Sequence, residues 1–435
     1  MLNLNKNTLF SILVLCCASS LFAQQPIPAK PQAKPILLLN GTAHLGDGKV
    51  IANAAIGFEN GRLSLVADAT TIRLDKSKFE IIDCSGKQIY PGFIAPNTTL
   101  GLVEVEAIRA TLDNAETGSL NPNVRSIISY NTDSKVTPTV RSNGILTAQI
   151  VPQGGMLSGQ SSGVMLDAWN WEDAAYKTDD GVHLNWPRMV FARGGGPEAE
   201  DAQRQAQEKG IQKLRALFNE AQAYAQSKPE EVNLRLQAMS ELFASGVNQQ
   251  RLFVHCDDAR EIVSAVKFAD DFGMKIILVG GADAWKVADL LKSKNIPVIL
   301  GRLHALPMRE DEQVDQFYQL PARLKQAGVL FCLGVDGFWQ VRNLPFMAGT
   351  AATYGLTKEE ALASITSSTA KILGLDARLG TLEVDKDATL FVSSGDALDM
   401  RSNQLSMAFI QGRKIDLNNI QTDLNQRYRN KYGLK

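Results

Sequence analysis

Hydrophobic and polar positions along this chain change rhythm twice. From Ile36 to Cys84 short apolar segments, Ile36–Leu39, Ala54–Phe58, Leu63–Val66 and Phe79–Ile82, alternate with turn signals at Asn40, Gly46 and Asn60. That spacing predicts a small antiparallel β unit. Beyond it, an apolar run enters through Pro91-Gly92 and leaves through Pro96-Asn97-Thr98-Thr99, which reads as a buried strand with a polar carboxyl end. Helix-type stretches then alternate with short apolar strands at Gly144–Val151, Leu252–His255, Lys275–Val279, Pro297–Leu300 and Gly328–Val335. Such alternation predicts a parallel (β/α) core whose chemistry sits at the strands' carboxyl ends. Between 197 and 227 the rhythm breaks into a Gln-, Glu-, Lys- and Ala-rich stretch with Leu214, Leu217 and Phe218 at helical spacing. It reads as a helical insertion, either a solvated helix carrying charge pairs or a lid over the barrel mouth.

Composition narrows the classes. The chain has 435 residues, 45% of them hydrophobic, enough for a barrel of roughly 250 residues and accessory structure. Its 45 basic and 46 acidic residues leave a net charge of -1 with no basic stripe, which excludes the electrostatic footprint of a nucleic-acid binder. Residues 1–23 combine Lys6, an apolar run from Leu9 and small residues ending at Ala23, the pattern of a cleavable signal. The apolar run is shorter than the roughly 20 residues of a membrane span, so export to the periplasm or secretion after cleavage near Ala23 is expected, with 24–35 as a flexible leader. Cys84, Cys256 and Cys332 are too few and too widely spaced for a disulfide framework.

Several motifs resemble the amidohydrolase superfamily, in its imidazolonepropionase-like branch. They are Pro91-Gly92-Phe93-Ile94-Ala95-Pro96-Asn97-Thr98-Thr99, Val151-Pro-x-Gly-Gly with Ser158-Gly-Gln, Val254-His255 with Asp257-Asp258, Gly280-Gly281-x3-Trp285-Lys286-Val287, and Gly380-x-Leu-x4-Asp387-Ala-Thr-Leu. The resemblance implies a TIM-like (β/α)8 barrel over 89–377 with the helical insertion near 197–227. It also implies a β-sandwich domain assembled from both chain ends, 36–88 and 378–415, and a tail at 416–435. The implied reaction is metal-assisted hydrolysis of a C–N amide bond.

The same resemblance implies a ligand set of two His after the first barrel strand, a Lys or Glu after the fourth, one His after each of the fifth and sixth, and an Asp after the eighth. Here His255 matches the strand-five ligand and Asp336 the strand-eight Asp, which in the family also takes the proton of the attacking water. Asn97 and Thr99 stand where the first two His belong, and Ala282, with Asp283 beside it, where the strand-six His belongs. The incomplete metal set is thus His255 and Asp336, with Asp336 as the catalytic candidate and Asn97, Thr99, Asp283 and His304 as pocket candidates. Two donors predict one divalent zinc held weakly, or no metal. Nothing around His44 or His183 repeats a ligand pattern, so both read as structural. Two functions stay open: a hydrolase of small amides with weakened or lost activity, and a non-catalytic ligand-binding protein or partner subunit of an active relative. The expected ligand is a small polar amide or dipeptide, and the expected assemblies are a homo-oligomer or that complex.

Overall fold

A computed structural model describes residues 27–188, 197–227, 231–246, 249–307, 309–310 and 312–434. The signal expected at 1–23 lies outside these residues.

Two eight-stranded sheets organise the chain. The first contains β1 (Ile36–His44), β2 (Val50–Glu59), β3 (Arg62–Asp68), β4 (Glu80–Asp83) and β5 (Gln88–Pro91). It is completed from the far end of the chain by β14 (Leu390–Ser393), β15 (Leu405–Ile410) and β16 (Arg413–Lys414). Its order is β16-β15-β14-β5-β1-β2-β3, with β4 also paired to β1. The second contains β6 (Phe93–Thr98), β7 (Ile145–Ile150), β8 (Leu157–Met165), β9 (Ala175–Asn185), β10 (Arg251–Cys256), β11 (Ile276–Gly280), β12 (Val298–Leu300) and β13 (Phe331–Leu333), adjacent in chain order. The fold is therefore α/β, a nearly closed eight-strand barrel sheet with a second sheet built from both ends. All neighbouring barrel strands are parallel except that β8 runs antiparallel between β7 and β9.

Local chemistry explains the joints. Asn60 and Gly61, both with positive φ (50° and 78°), make the two-residue hairpin from β2 to β3. Asn40, expected as a turn, instead lies inside β1 at a register shift, because Gly41 packs against Cys84 where a Cβ would stand 2.9 Å from the Cys84 Cβ. At Gly92 the chain crosses from one sheet to the other. An added Cβ there would meet Thr389 at 2.9 Å and Leu146 at 3.0 Å, so a side chain would wedge the sheets apart. The gap between β13 and β6 is bridged by the loop at 364–365, since Leu333 N–H donates to Ser364 O (3.0 Å) and Ile94 N–H to Ile365 O (2.9 Å).

Alternation along the strands divides the core. Ile94, Phe253, Ile277, Val279, Ile299 and Cys332 face the barrel interior and pack onto Ala370, Ile372 and Leu373 of the helix Ser367–Leu373, which plugs the amino end. Their neighbours Val254, Cys256 and Leu278 face outward into the helical layer. The helix Pro197–Gln226 is not merely solvated. Leu214, Phe218 and Ala221 are fully buried, with Phe218 edge-on to Phe268 at 5.1 Å, while its polar face stays in water. The leader is also held: Ala29 N–H donates to Asp167 Oδ2 (3.0 Å) and the Gln32 amide to Phe58 O (2.8 Å). No helix among the described residues is long and apolar enough to cross a membrane.

Candidate functional site

The candidates from the sequence scatter around the carboxyl end of the barrel. Asn97, next to last in β6, lies in the left-handed region (φ 52°), and its backbone N–H donates to Gln149 Oε1 at 3.2 Å. Thr99 is buried, with its N–H on Gly337 O at 3.2 Å. Asp336 follows β13 and is exposed, without a hydrogen bond or ion pair among the described residues. Asp283, 2% exposed, is occupied: Arg309 grips both its oxygens at 2.7 and 2.9 Å and Lys286 adds a contact at 3.0 Å. His304 sits elsewhere. Its Nε2 meets Thr350 Oγ1 at 2.8 Å on the wall of an outer groove of about 530 Å³, shared with Phe346, Asp396 and Met400. Asp257, directly after β10, accepts from Ala282 N–H at 3.2 Å; enclosure by protein pushes its carboxyl up, with Asp283 and Asp336 adding to the rise.

His255 belongs to a network that the sequence reading missed. Its Nε2 lies 2.8 Å from His183 Nδ1, and His183 Nε2 lies 2.7 Å from Ser161 Oγ. Ser161 Oγ in turn bonds Asp180 Oδ1, while the Gln149 side-chain NH2 donates to Ser161 Oγ (3.1 Å) and Asp180 Oδ2 (2.9 Å). β7, β8, β9 and β10 each contribute, and the β8–β9 and β9–β10 registers place Ser161 opposite Gly181 and His183 opposite Phe253. Phe253 stacks face to face under His183 (centroids 4.5 Å, 1° between planes). Gln149, Ser161 and His183 have no exposed surface, and a buried network is tolerable because each member finds partners. Burial pushes both imidazoles down, His255 to about 4 and His183 well below its ordinary value, where the neighbouring His255 depresses it further. Both are therefore neutral near pH 7. Burial raises the Asp180 carboxyl, while Ser161, Lys177, Gln149 and Arg251 pull the other way.

A tightly held divalent ion needs three or more convergent donors. Among the described residues no group of three or more His, Cys, Asp or Glu is placed to hold one. His255 Nε2 is committed to His183, and Cys256 points into the outer core, its thiol pushed up by burial. What the arrangement offers instead is hydrogen bonding: one half-buried neutral imidazole, backed by a rigid polar wall.

A sequence profile described as the amidohydrolase family matches residues 284–423. The amidohydrolase tasK of Hapsidospora irregularis is 33% identical over 117 residues, which are 24% of this chain and 12% of that protein. The imidazolonepropionase of Bacillus thuringiensis (strain Al Hakam) is 43% identical over 51 residues, 12% of either chain. The chain thus spans about an eighth of the length of these curated relatives. Among solved structures, an amidohydrolase from Thermotoga maritima MSB8 superposes with a TM-score of 0.75 at 24% identity, covering 88% of this chain and 99% of that one. A prolidase complexed with N-methylphosphonate-L-proline reaches a TM-score of 0.55 at 16% identity, covering 88% and 99%.

Proposed function

Because this chain belongs to the amidohydrolase superfamily, we propose that its barrel mouth binds a small polar amide or dipeptide-like molecule, and that the superfamily's metal-assisted C–N hydrolysis is weakened or lost in it. One observation carries this reading: the strand-five histidine spends its Nε2 on another histidine, while Asn97, Thr99 and Ala282 supply no imidazole to the same point. The residues present do not fit a firmly bound zinc. The prolidase neighbour and its proline-containing ligand favour a dipeptide among the small amides. Any residual hydrolysis would fall to His255 and Asp336. The pattern of residues 1–23 supports export in this reading, with cleavage near Ala23.

The test is a thermal-shift screen of amino acids, prolyl dipeptides and cyclic amides, run beside elemental analysis of protein purified without added ions. A ligand bound only by the native state raises the melting temperature with the logarithm of its concentration. At least one hit is expected, lost in the double variant Asn97→Ala, His255→Ala, together with less than one zinc per chain. Stoichiometric zinc that survives dialysis against a chelator would overturn the proposal, as would a screen without hits. Fractionation and amino-terminal sequencing of the mature protein check export.

A further inference from the structure

The last helix, Ile420–Tyr432, has sharp ends and no core of its own. Its start is capped reciprocally, Asn419 Oδ1 accepting from Thr422 N–H (3.0 Å) and Thr422 Oγ1 from Asn419 N–H (2.9 Å), and Gly433 ends it in the left-handed region (φ 63°). None of its residues is buried, and only Arg429 is half-buried. Near its amino end Thr139 Oγ1 donates to Gln421 Oε1 (2.6 Å) and Asn419 Nδ2 to Ser142 Oγ (3.2 Å), which holds it to the barrel. A helix of 13 residues surrounded by water is marginal by itself, because most helix stability comes from packing an apolar face. Such a face exists and lies uncovered: Ile420, Leu424, Tyr428 and Tyr432 recur every four residues and are 52, 39, 53 and 64% exposed.

A charged row runs beside this apolar one. At about 100° per residue, Asp423, Arg427 and Lys431 line one flank of it. Asp423 and Arg427 make no ion pair within the chain among the described residues. We propose that this face is a dimer interface, packed against the same face of a second copy of the chain, with the two helices antiparallel about a two-fold axis level with Gln426. That pairing brings Leu424 against Tyr428 of the second copy and Ile420 against its Tyr432. It also sets each Asp423 between Arg427 and Lys431 across the interface. Rows spaced by four residues interdigitate when two helices cross at roughly 50°. In a parallel pair the charged row would meet the opposite flank, where Asp423 finds only Gln421 and Asn425, and Arg427 finds Arg429. The order of charges therefore selects an antiparallel second copy, and it selects against an anionic surface, for which Asp423 has the wrong sign. The contact is isologous and closes on itself. Two helices of roughly 20 Å bury less than the roughly 1,200 Å² of a standard interface, so the dimer should dissociate on dilution.

The inference does not depend on what the barrel mouth binds. Sedimentation velocity of the purified chain from roughly 1 to 200 µM should show a monomer–dimer equilibrium. The double variant Leu424→Asp, Tyr428→Asp should be monomeric across that range with the melting temperature of the dilute wild type, since both side chains are exposed. Asp423→Arg should weaken association about tenfold, because two symmetry-related sets of ion pairs turn repulsive together. Adding Arg427→Asp and Lys431→Asp to it should restore the dimer. The wild-type order, acid first and base last, also suits the helix dipole, so charges that served the dipole alone would give no restoration. A monomer at every concentration, a dimer indifferent to the Leu424 and Tyr428 changes, or a reversal that restores nothing would overturn the proposal. So would a monomer that sediments with anionic phospholipid vesicles, the behaviour of a membrane-surface helix.

Discussion

The two halves of the barrel interior are built on opposite principles. The wall from β11 to β13 is apolar: Ile277, Val279, Ile299 and Cys332 pack onto the plug helix with almost no exposed surface. The wall from β7 to β10 carries Gln149, Ser161, Asp180, His183 and His255, joined in one hydrogen-bonded series. The superfamily's metal centre, as the resemblance describes it, requires donors from both walls, at strands one, four, five, six and eight. Here the polar groups gather on one side and satisfy each other, and the other side fills with aliphatic carbon. One barrel interior can therefore hold an apolar wall beside a polar one, because packing asks only that volume be filled and that buried polar atoms be paired.

This contrast is broken most directly by His183→Ala. The change removes the ring stacked on Phe253 and leaves Ser161 and His255 each short of a partner, so a loss of about 3 kcal/mol or more is expected from the cavity and the unpaired groups together. Urea unfolding measures it, and a loss under about 1 kcal/mol would show that the network does not hold its wall.

Acid should act on the same wall. Both rings are depressed from an unfolded value of 6.5, so below that value the unfolded chain binds more protons than the folded one. Their contribution is complete above pH 6.5 and is lost as pH falls toward the folded value of about 4 for His255. Each ring adds a slope of up to about 1.4 kcal/mol per pH unit. His44, in the other sheet, has the opposite sign. Burial works against its charge, but Glu359 at 2.6 Å and Gln88 at 3.0 Å raise it, so its contribution is present below 6.5 and fades as pH rises through the raised value. Urea midpoints across acid and neutral pH should steepen on the acid side, and His44→Gln should remove only the neutral-side decline. A flat acid limb would mean the two imidazoles are not held neutral.

The smallest change belongs to the apolar wall. Ile299→Val deletes one buried methylene and should cost about 0.5–1.5 kcal/mol, with ligand binding at the mouth unaltered. A cost matching that of His183→Ala would erase the distinction between the two walls.

Periodicity and turn residues alone determined the α/β class and the strands β7, β10, β11, β12 and β13, because these are local signals, apolar runs bounded by Gly, Pro and Asn, whereas the composite sheet from both ends was implied by the resemblance of the closing segments. The sequence also placed His255 and Asp336 after their strands, and showed that imidazoles are missing at Asn97, Thr99 and Ala282. It did not reveal β8, whose Leu-Ser-Gly-Gln-Ser-Ser-Gly-Val-Met is poor in β-branched residues and shows no clean alternation, since both of its faces are buried. Nor did it join Gln149, Ser161, Asp180 and His183 to His255. Ser161 and His255 lie nearly a hundred residues apart, and each alone looks like an ordinary polar residue. Only strand register decides that five such groups point into one interior at hydrogen-bond distance, because a one-residue slip of β8 or β9 would turn Ser161 or His183 to the opposite face.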